Sequence, residues 1–274
     1  MRKLHLPGLN WKCNKIHCLI LVFSICISKV DAQFTLHPTE DISLLAGAGL
    51  LYLAPYIIKG PNHQLTIDVI ANLDKNNLNF LDRSAAGKYK PELSDISDIA
   101  IGTMAIGTLT PLLLHSKMRD DIKTFGVLFV ETMALSTALT RVSKTYISRI
   151  RPHVYSTTST YQQKSEWAPY KSFFSGHACQ SFAMATFLAS TYPNGPGKKY
   201  VCIGVYSLAT AIALLRYESG AHFPTDLLTG AAIGTAIGYL IPKMHRTSSN
   251  ANIRINTISS TNFPLGVSVR FTLK

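Results

Sequence analysis

The 274-residue chain reads as an all-α protein, a helical bundle of about six core helices with a small C-terminal β-hairpin. Two observations predict the bundle. Six apolar runs follow residue 33, each long and rich in Ala, Leu and Gly. None shows the strict alternation of a half-buried strand. A third observation predicts the hairpin: the character of the chain changes after Arg246, where apolar and polar residues begin to alternate.

The first 32 residues read as an export signal. Arg2, Lys3, Lys12 and Lys15 make a basic lead, Cys18–Ser28 is a short apolar run, and Val30-Asp31-Ala32 fits a small-residue cleavage site. The run is too short for an ordinary membrane span; the other reading is an uncleaved anchor. Removing this segment lowers the formal charge from +12 to +8. An exported basic chain suits anionic lipid head groups. No nucleic-acid module is recognisable. Of the five cysteines only Cys179 and Cys202 lie outside the signal, and both read as small core residues.

The expected domain is 33–246. Its apolar runs are Ile42–Ile58, Ile99–Leu114, Phe125–Leu139, Ala178–Tyr192, Tyr200–Leu215 and Leu227–Ile241. Each falls a little short of the roughly 20 residues that cross a bilayer, and Glu131 interrupts the third. Membrane-integral and soluble envelope forms both fit. If all six cross after an exported start, the first motifs described below face the cytoplasm. A periplasmic site therefore needs one early run not to span, and Ile42–Ile58, broken by Pro55, is the candidate. Leu65–Asp98 reads as short amphipathic helices. His153–Phe173 carries Tyr155, Tyr161, Trp167, Tyr170 and Phe173, expected to anchor or pack that loop. His63, His115 and His153 have no motif partners and are expected on the surface. In the tail 247–274, Ile253 and Ile255, then Val267, Val269, Phe271 and Leu273, alternate with polar residues around Asn262, Pro264 and Gly266. This predicts a hairpin packed on the helices.

Three short pieces carry chemistry: Lys144 to Pro152, Ser175-Gly176-His177, and Arg216 to Asp226. Each lies at the end of an apolar run, so a bundle could bring them to one mouth. Lys144, Arg151 and Arg216 match the charge of a phosphoryl group, and guanidinium forks match its geometry. Ser175 and Gly176 open a helix whose first N–H groups and positive end suit an anion. Pro224 suits the first turn of another helix. If that helix starts there, the Asp226 carboxylate can reach back to one nitrogen of His222, leaving the other free to attack phosphorus. His177 remains to protonate the leaving oxygen. No metal or cofactor is needed for such a reaction.

The spacing Lys-x6-Arg-Pro, Ser-Gly-His and Arg-x5-His-x3-Asp resembles the type 2 phosphatidic acid phosphatase and vanadium haloperoxidase superfamily, over a core of 125–245. The resemblance implies a six-helix fold and a phosphoric ester or diphosphate hydrolase. It implies that Lys144, Arg151, Ser175, Gly176 and Arg216 hold phosphate, that His222 is nucleophile, His177 acid and Asp226 orienter. Phe174 stands where the family has proline and Leu215 where it often has serine; both bear on loop rigidity. The expected substrate is a lipid phosphate or diphosphate of the cell envelope, met at a membrane with the site on the periplasmic side. The other readings are a soluble periplasmic non-specific acid phosphatase and a non-catalytic membrane scaffold.

Overall fold

The structure is a computed structural model that describes residues 34–247 and the backbone of 252–260 and 263–272. The expected signal lies outside the described residues. Among the described residues nine helices follow in order: α1 Pro38–Ile57, α2 Ile67–Ala71, α3 Pro91–Leu114, α4 Ser116–Arg119, α5 Ile122–Tyr146, α6 Tyr161–Ser165, α7 Gly176–Thr191, α8 Lys198–Glu218 and α9 Pro224–Met244.

The six long helices correspond to the six apolar runs, and several run past them. α3 starts at Pro91, eight residues before its run, because proline is preorganised for a first turn. The extra turn carries buried Ser94 and Ser97. α5 continues to Tyr146 and so carries Lys144 at its end. α1 runs through Pro55 rather than breaking there. Between α1 and α3 the expected amphipathic helices reduce to α2 and two single 3-10 turns; Asn72, Asn76, Asn77 and Asn79 favour turns over helix continuation.

The helices run up and down between two ends. At one end Tyr146 donates to Ile58 O, Ser175 N to Asp226 O and His153 N to Gly220 O. At the other, Thr35 N donates to His245 O and the rings of His115 and Tyr192 stand 5.5 Å apart. The most extensive helix pairing joins α7 and α9. Gly230, Gly234 and Gly238 form a smooth stripe on α9, and a Cβ at any of them would overlap the α7 backbone at Ser175 O, Cys179 O or Ala183 O. A core of Phe125, Leu128, Phe187, Leu188, Ile237 and Ile241 fills the second end, and Met104, Met184, Ala209 and Ile212 pack between α3, α7 and α8.

α3, α5, α8 and α9 are long and apolar enough to cross a membrane. Their outward faces remain apolar: Ile99, Ile106, Leu114, Leu214, Leu228 and Leu240 are all exposed, an apolar belt that water would not favour. Among the described residues the two cysteines, Cys179 and Cys202, are free, with Cys179 buried. The hairpin packed on the helices is not supported. Asn252–Ser260 and Phe263–Thr272 pair antiparallel with each other.

Candidate active site

Four long helices present the ends that carry the motif residues to one mouth. α5 and α8 end there, bringing Lys144 and Arg216 in their last turns, where cations offset the negative helix end. α7 and α9 begin there and aim positive ends inward. At α7, Ser175 is the N-cap and its Oγ accepts from Ala178 N at 3.3 Å. Gly176 follows because a Cβ there would meet Thr140 Cγ2 at 2.9 Å and Lys144 Nζ at 3.8 Å. That close approach brings the first two motifs together.

His222 lies in the short link between α8 and α9, wholly buried. Its backbone N–H bonds Arg216 O at 3.3 Å. The turn before it needs Gly220, at φ +78, where a side chain would overlap Lys88 O. The imidazole Nδ1–H donates to Ser172 O at 2.7 Å. Nε2 then carries the lone pair, and it has no hydrogen-bond partner among the described residues.

The Asp226 carboxylate does not hold the imidazole as the spacing predicts. Its Oδ2 stands 3.9 Å from His222 Nδ1, too far for a hydrogen bond. Instead Oδ2 accepts from Ser172 Oγ at 2.6 Å and Phe223 N at 3.0 Å. A carboxylate at the third position of a helix reaches back to the N-cap N–H, and that geometry wins here. Asp226 therefore fixes Ser172, and the Ser172 carbonyl fixes the tautomer.

The three cations surround His222. Burial first, then Arg151, Lys144 and Arg216, hold its pKa well below the ordinary imidazole range, against the opposing Ser172 bond. Arg151 is buried and donates to Ala168 O and Ala221 O, both at 3.3 Å. Burial and then Arg216 lower its pKa to about 10, so it stays charged at neutral pH. Trp167 and Ala168 adopt positive φ, 57 and 49, uncommon for residues with a side chain. That turn presents the carbonyls of Ala168 and Pro169 to the side chain and N–H of Arg151. Arg216 donates to Ser94 Oγ at 2.6 Å and Ser97 Oγ at 3.1 Å.

His177 Nε2 lies 2.6 Å from Asp98 Oδ1, close in distance but off the line of a good hydrogen bond. Burial first, then Arg216 and Lys144, lower its pKa, while Asp98 raises it. Lys144 also lines an outer cavity of about 240 Å3 with His63, Tyr170 and Lys171. All eight sequence-predicted residues thus lie around one mouth, and both imidazoles feel the same Lys144 and Arg216.

Comparison with known proteins places this geometry. Residues 125–250 match the PAP2 superfamily. The motif resemblance therefore holds at the level of the superfamily. The chain is 25% identical over 177 residues to a Porphyromonas gingivalis protein named Lipid A 1-phosphatase, covering 62% of this chain and 34% of that one. It is 27% identical over 73 residues to the Lipid A 4'-phosphatase of the same organism, covering 27% of this chain and 29% of the relative. The chain thus spans about a third of the length of these curated relatives. Among solved structures, Aquifex aeolicus LpxE aligns at 23% identity over 60% of this chain and 93% of that one, with a TM-score of 0.41. A transmembrane PAP2-type phosphatidylglycerolphosphate phosphatase from Bacillus subtilis aligns at 24% over 74% and 94%, with a TM-score of 0.42.

The three motifs did not announce four residues that complete the mouth. Arg149 bridges Asp82 Oδ2 at 2.5 Å, Asp226 Oδ1 and Thr225 Oγ1. Asp82 is buried and also accepts from Thr225 N at 3.0 Å. Burial alone would raise its pKa, but the Thr225, Arg149 and Asn79 bonds hold it low. Ser172 and Asp98 complete the set. The only sequence signal was the polar spacing Ser94, Ser97, Asp98 on one face of an apolar helix. His153, expected on the surface, is wholly buried between Tyr89 and Trp167. Burial and then Arg151 lower its pKa to about 4. The loop aromatics are anchors: Tyr161 donates to Leu65 O at 2.6 Å and Tyr170 to Gln64 O at 3.3 Å.

Proposed function

We propose that the protein is a metal-independent phosphatase of the cell envelope, hydrolysing a lipid phosphate or diphosphate through a phosphohistidine on His222. The observation that carries this reading is His222 Nε2: buried, without a partner among the described residues, tautomerically fixed from behind, and ringed by three cations. A lone pair in such a field needs an anionic electrophile.

In the first step His222 Nε2 forms a bond to phosphorus while the ester P–O bond breaks. His177 gives its proton to the departing oxygen. Lys144, Arg151, Arg216 and the first N–H groups of α7 take the charge that develops on the phosphoryl oxygens. His222 keeps its Nδ1 proton, so the phosphorylated ring is cationic; Ser172 O and the nearby Asp226 carboxylate offset that charge. Water then attacks phosphorus, His177 takes back a proton, and the P–N bond breaks to release phosphate. A bound phosphoryl dianion counters Arg216 and Lys144, which lets His177 hold the proton this scheme requires.

Two observations support a lipid substrate. The mouth lies at the ends of α3, α5, α8 and α9, so head groups and site share one level. An apolar cavity of about 620 Å3 between α1 and α5, lined by Leu45, Tyr52, Phe129 and Met133 among others, is in reach of an acyl chain whose phosphate sits on Lys144. The relatives' names make a lipid A phosphate the first candidate, with the mouth facing the periplasm. The test is phosphate release from phosphatidic acid, phosphatidylglycerol phosphate, isoprenyl diphosphate and lipid A, wild type beside His222→Ala. Turnover by a folded His222→Ala protein overturns the mechanism. Recovery of active enzyme without detergent overturns the membrane setting, and reporter fusions in loop 153–173 decide the compartment.

A further inference from the structure

The far end of the bundle holds a second charged centre that the phosphatase reading does not use. Asp41 in the first turn of α1, Glu131 in α5 and His245 at the C-cap of α9 are all buried, and one ligand atom from each lies within 4.8 Å of the others. Glu131 stands 13 residues before Lys144 on the same helix, roughly 20 Å along its axis at ~1.5 Å per residue. The centre is thus separate from the mouth. It sits against the apolar core of Leu128, Phe125 and Ile241.

Three observations say what it binds. His245 Nδ1 donates to Ile241 O at 2.9 Å, so a neutral ring turns the Nε2 lone pair toward the carboxylates. A histidine tied behind by a backbone carbonyl is the usual support for a metal ligand. Nε2 stands 2.7 Å from Asp41 Oδ1 and 3.7 Å from Glu131 Oε2. An imidazolium has one N–H here, and at 2.7 Å it serves Asp41 alone. Glu131 is wholly buried and neither of its oxygens has a hydrogen-bond partner among the described residues. A buried ionised carboxylate left in that state is strongly unfavourable. One divalent cation between the three atoms satisfies both carboxylates and the lone pair together, with zero net charge. Ligand bonds of about 2.0–2.2 Å put donor atoms roughly 3.2–3.6 Å apart in a tetrahedron. The 3.7 Å pair already fits, and the 2.7 Å pair needs to open by under about 1 Å. Mixed nitrogen and oxygen donors suit zinc and its first-row neighbours better than calcium or magnesium, which take oxygen sets.

We propose that Asp41, Glu131 and His245 form a structural site for a divalent transition-metal cation, zinc foremost, that ties α1, α5 and α9 together at the end opposite the mouth. Three protein ligands leave a fourth position for water. The cation takes no part in phosphoryl transfer.

The test uses the full chain in detergent, stripped with a chelator, dialysed, and titrated with Zn2+ and separately with Co2+. The expected result is one Zn2+ bound per chain, a rise in unfolding temperature on adding it, and ligand-field absorption from bound Co2+. Glu131→Gln and His245→Asn should each weaken Zn2+ binding at least tenfold, which separates this site from surface histidines. Unchanged Zn2+ affinity in both variants overturns the proposal. Should neither variant fold, the wild-type Co2+ spectrum decides: no ligand-field bands overturns the site, and leaves Glu131 as a carboxyl that holds a proton.

Discussion

The two ends of the bundle solve opposite electrostatic problems. At the mouth, Lys144, Arg151 and Arg216 crowd two imidazoles, and positive charge is in excess. At the far end, Asp41 and Glu131 face one imidazole, and negative charge is in excess. The mouth opens onto a cavity; the far centre is closed in apolar side chains. Both ends use the same device on histidine, a backbone carbonyl on Nδ1 that turns Nε2 inward. What differs is the sign of the field around Nε2. That sign suits a phosphoryl anion at one end and a metal cation at the other.

The sharpest way to break this comparison is His222→Ala. It should lower kcat for phosphate release by at least about 10^3-fold while the circular dichroism melt stays cooperative. Next comes Arg149→Met, which leaves Asp82 and Asp226 buried without their shared cation. Removing one partner of a buried pair costs about 3–5 kcal/mol, so the thermal midpoint should fall by many degrees. A midpoint shift below a degree would show that Arg149 is not a structural bridge. Gly234→Ala forces a Cβ into the Cys179 carbonyl and should cost about 1–3 kcal/mol. Because it pushes α9 from α7, it should also lower kcat; urea titration and kinetics on one preparation check both. Chelation should lower the thermal midpoint and leave kcat within about twofold, because the proposed cation site lies roughly 20 Å from the mouth. The smallest effect expected concerns pH. His177 must be protonated and His222 neutral, and both pKa values are lowered in the free protein. His222 therefore stays neutral across the usual range, and kcat/KM should decline as pH rises through the folded His177 pKa. Asp98→Asn removes a group that raises that pKa, so the decline should begin at lower pH.

The helices were legible in the sequence because burial and lipid both demand long apolar runs. Lys144, His177, His222 and Arg216 were legible because each is a charged or titrating residue at the edge of such a run. Arg149, Asp82 and Ser172 were not. Asp82 lies 67 residues before Arg149 in a stretch without strong periodicity, and only the fold brings the two together. Ser172 acts through its carbonyl, an atom every residue has. Asp226 was placed at the right position with the wrong partner: the i, i+4 spacing to His222 is real, but the helix N-terminus holds the carboxylate more closely than the imidazole does. Glu131 read as a flaw in a membrane span, since Asp41 and His245 lie far away in sequence.

The smooth stripe on α9 seats this helix on α7, passing over α8, its neighbour along the chain. Asp226, and the carbonyl that holds Ser175 N, therefore join the mouth only when α9 has docked on α7. A chain halted before residue 224 would carry Lys144, both arginines and both histidines yet lack Asp226, which fixes Ser172 behind His222. The mouth is complete only once this last of the described long helices is seated.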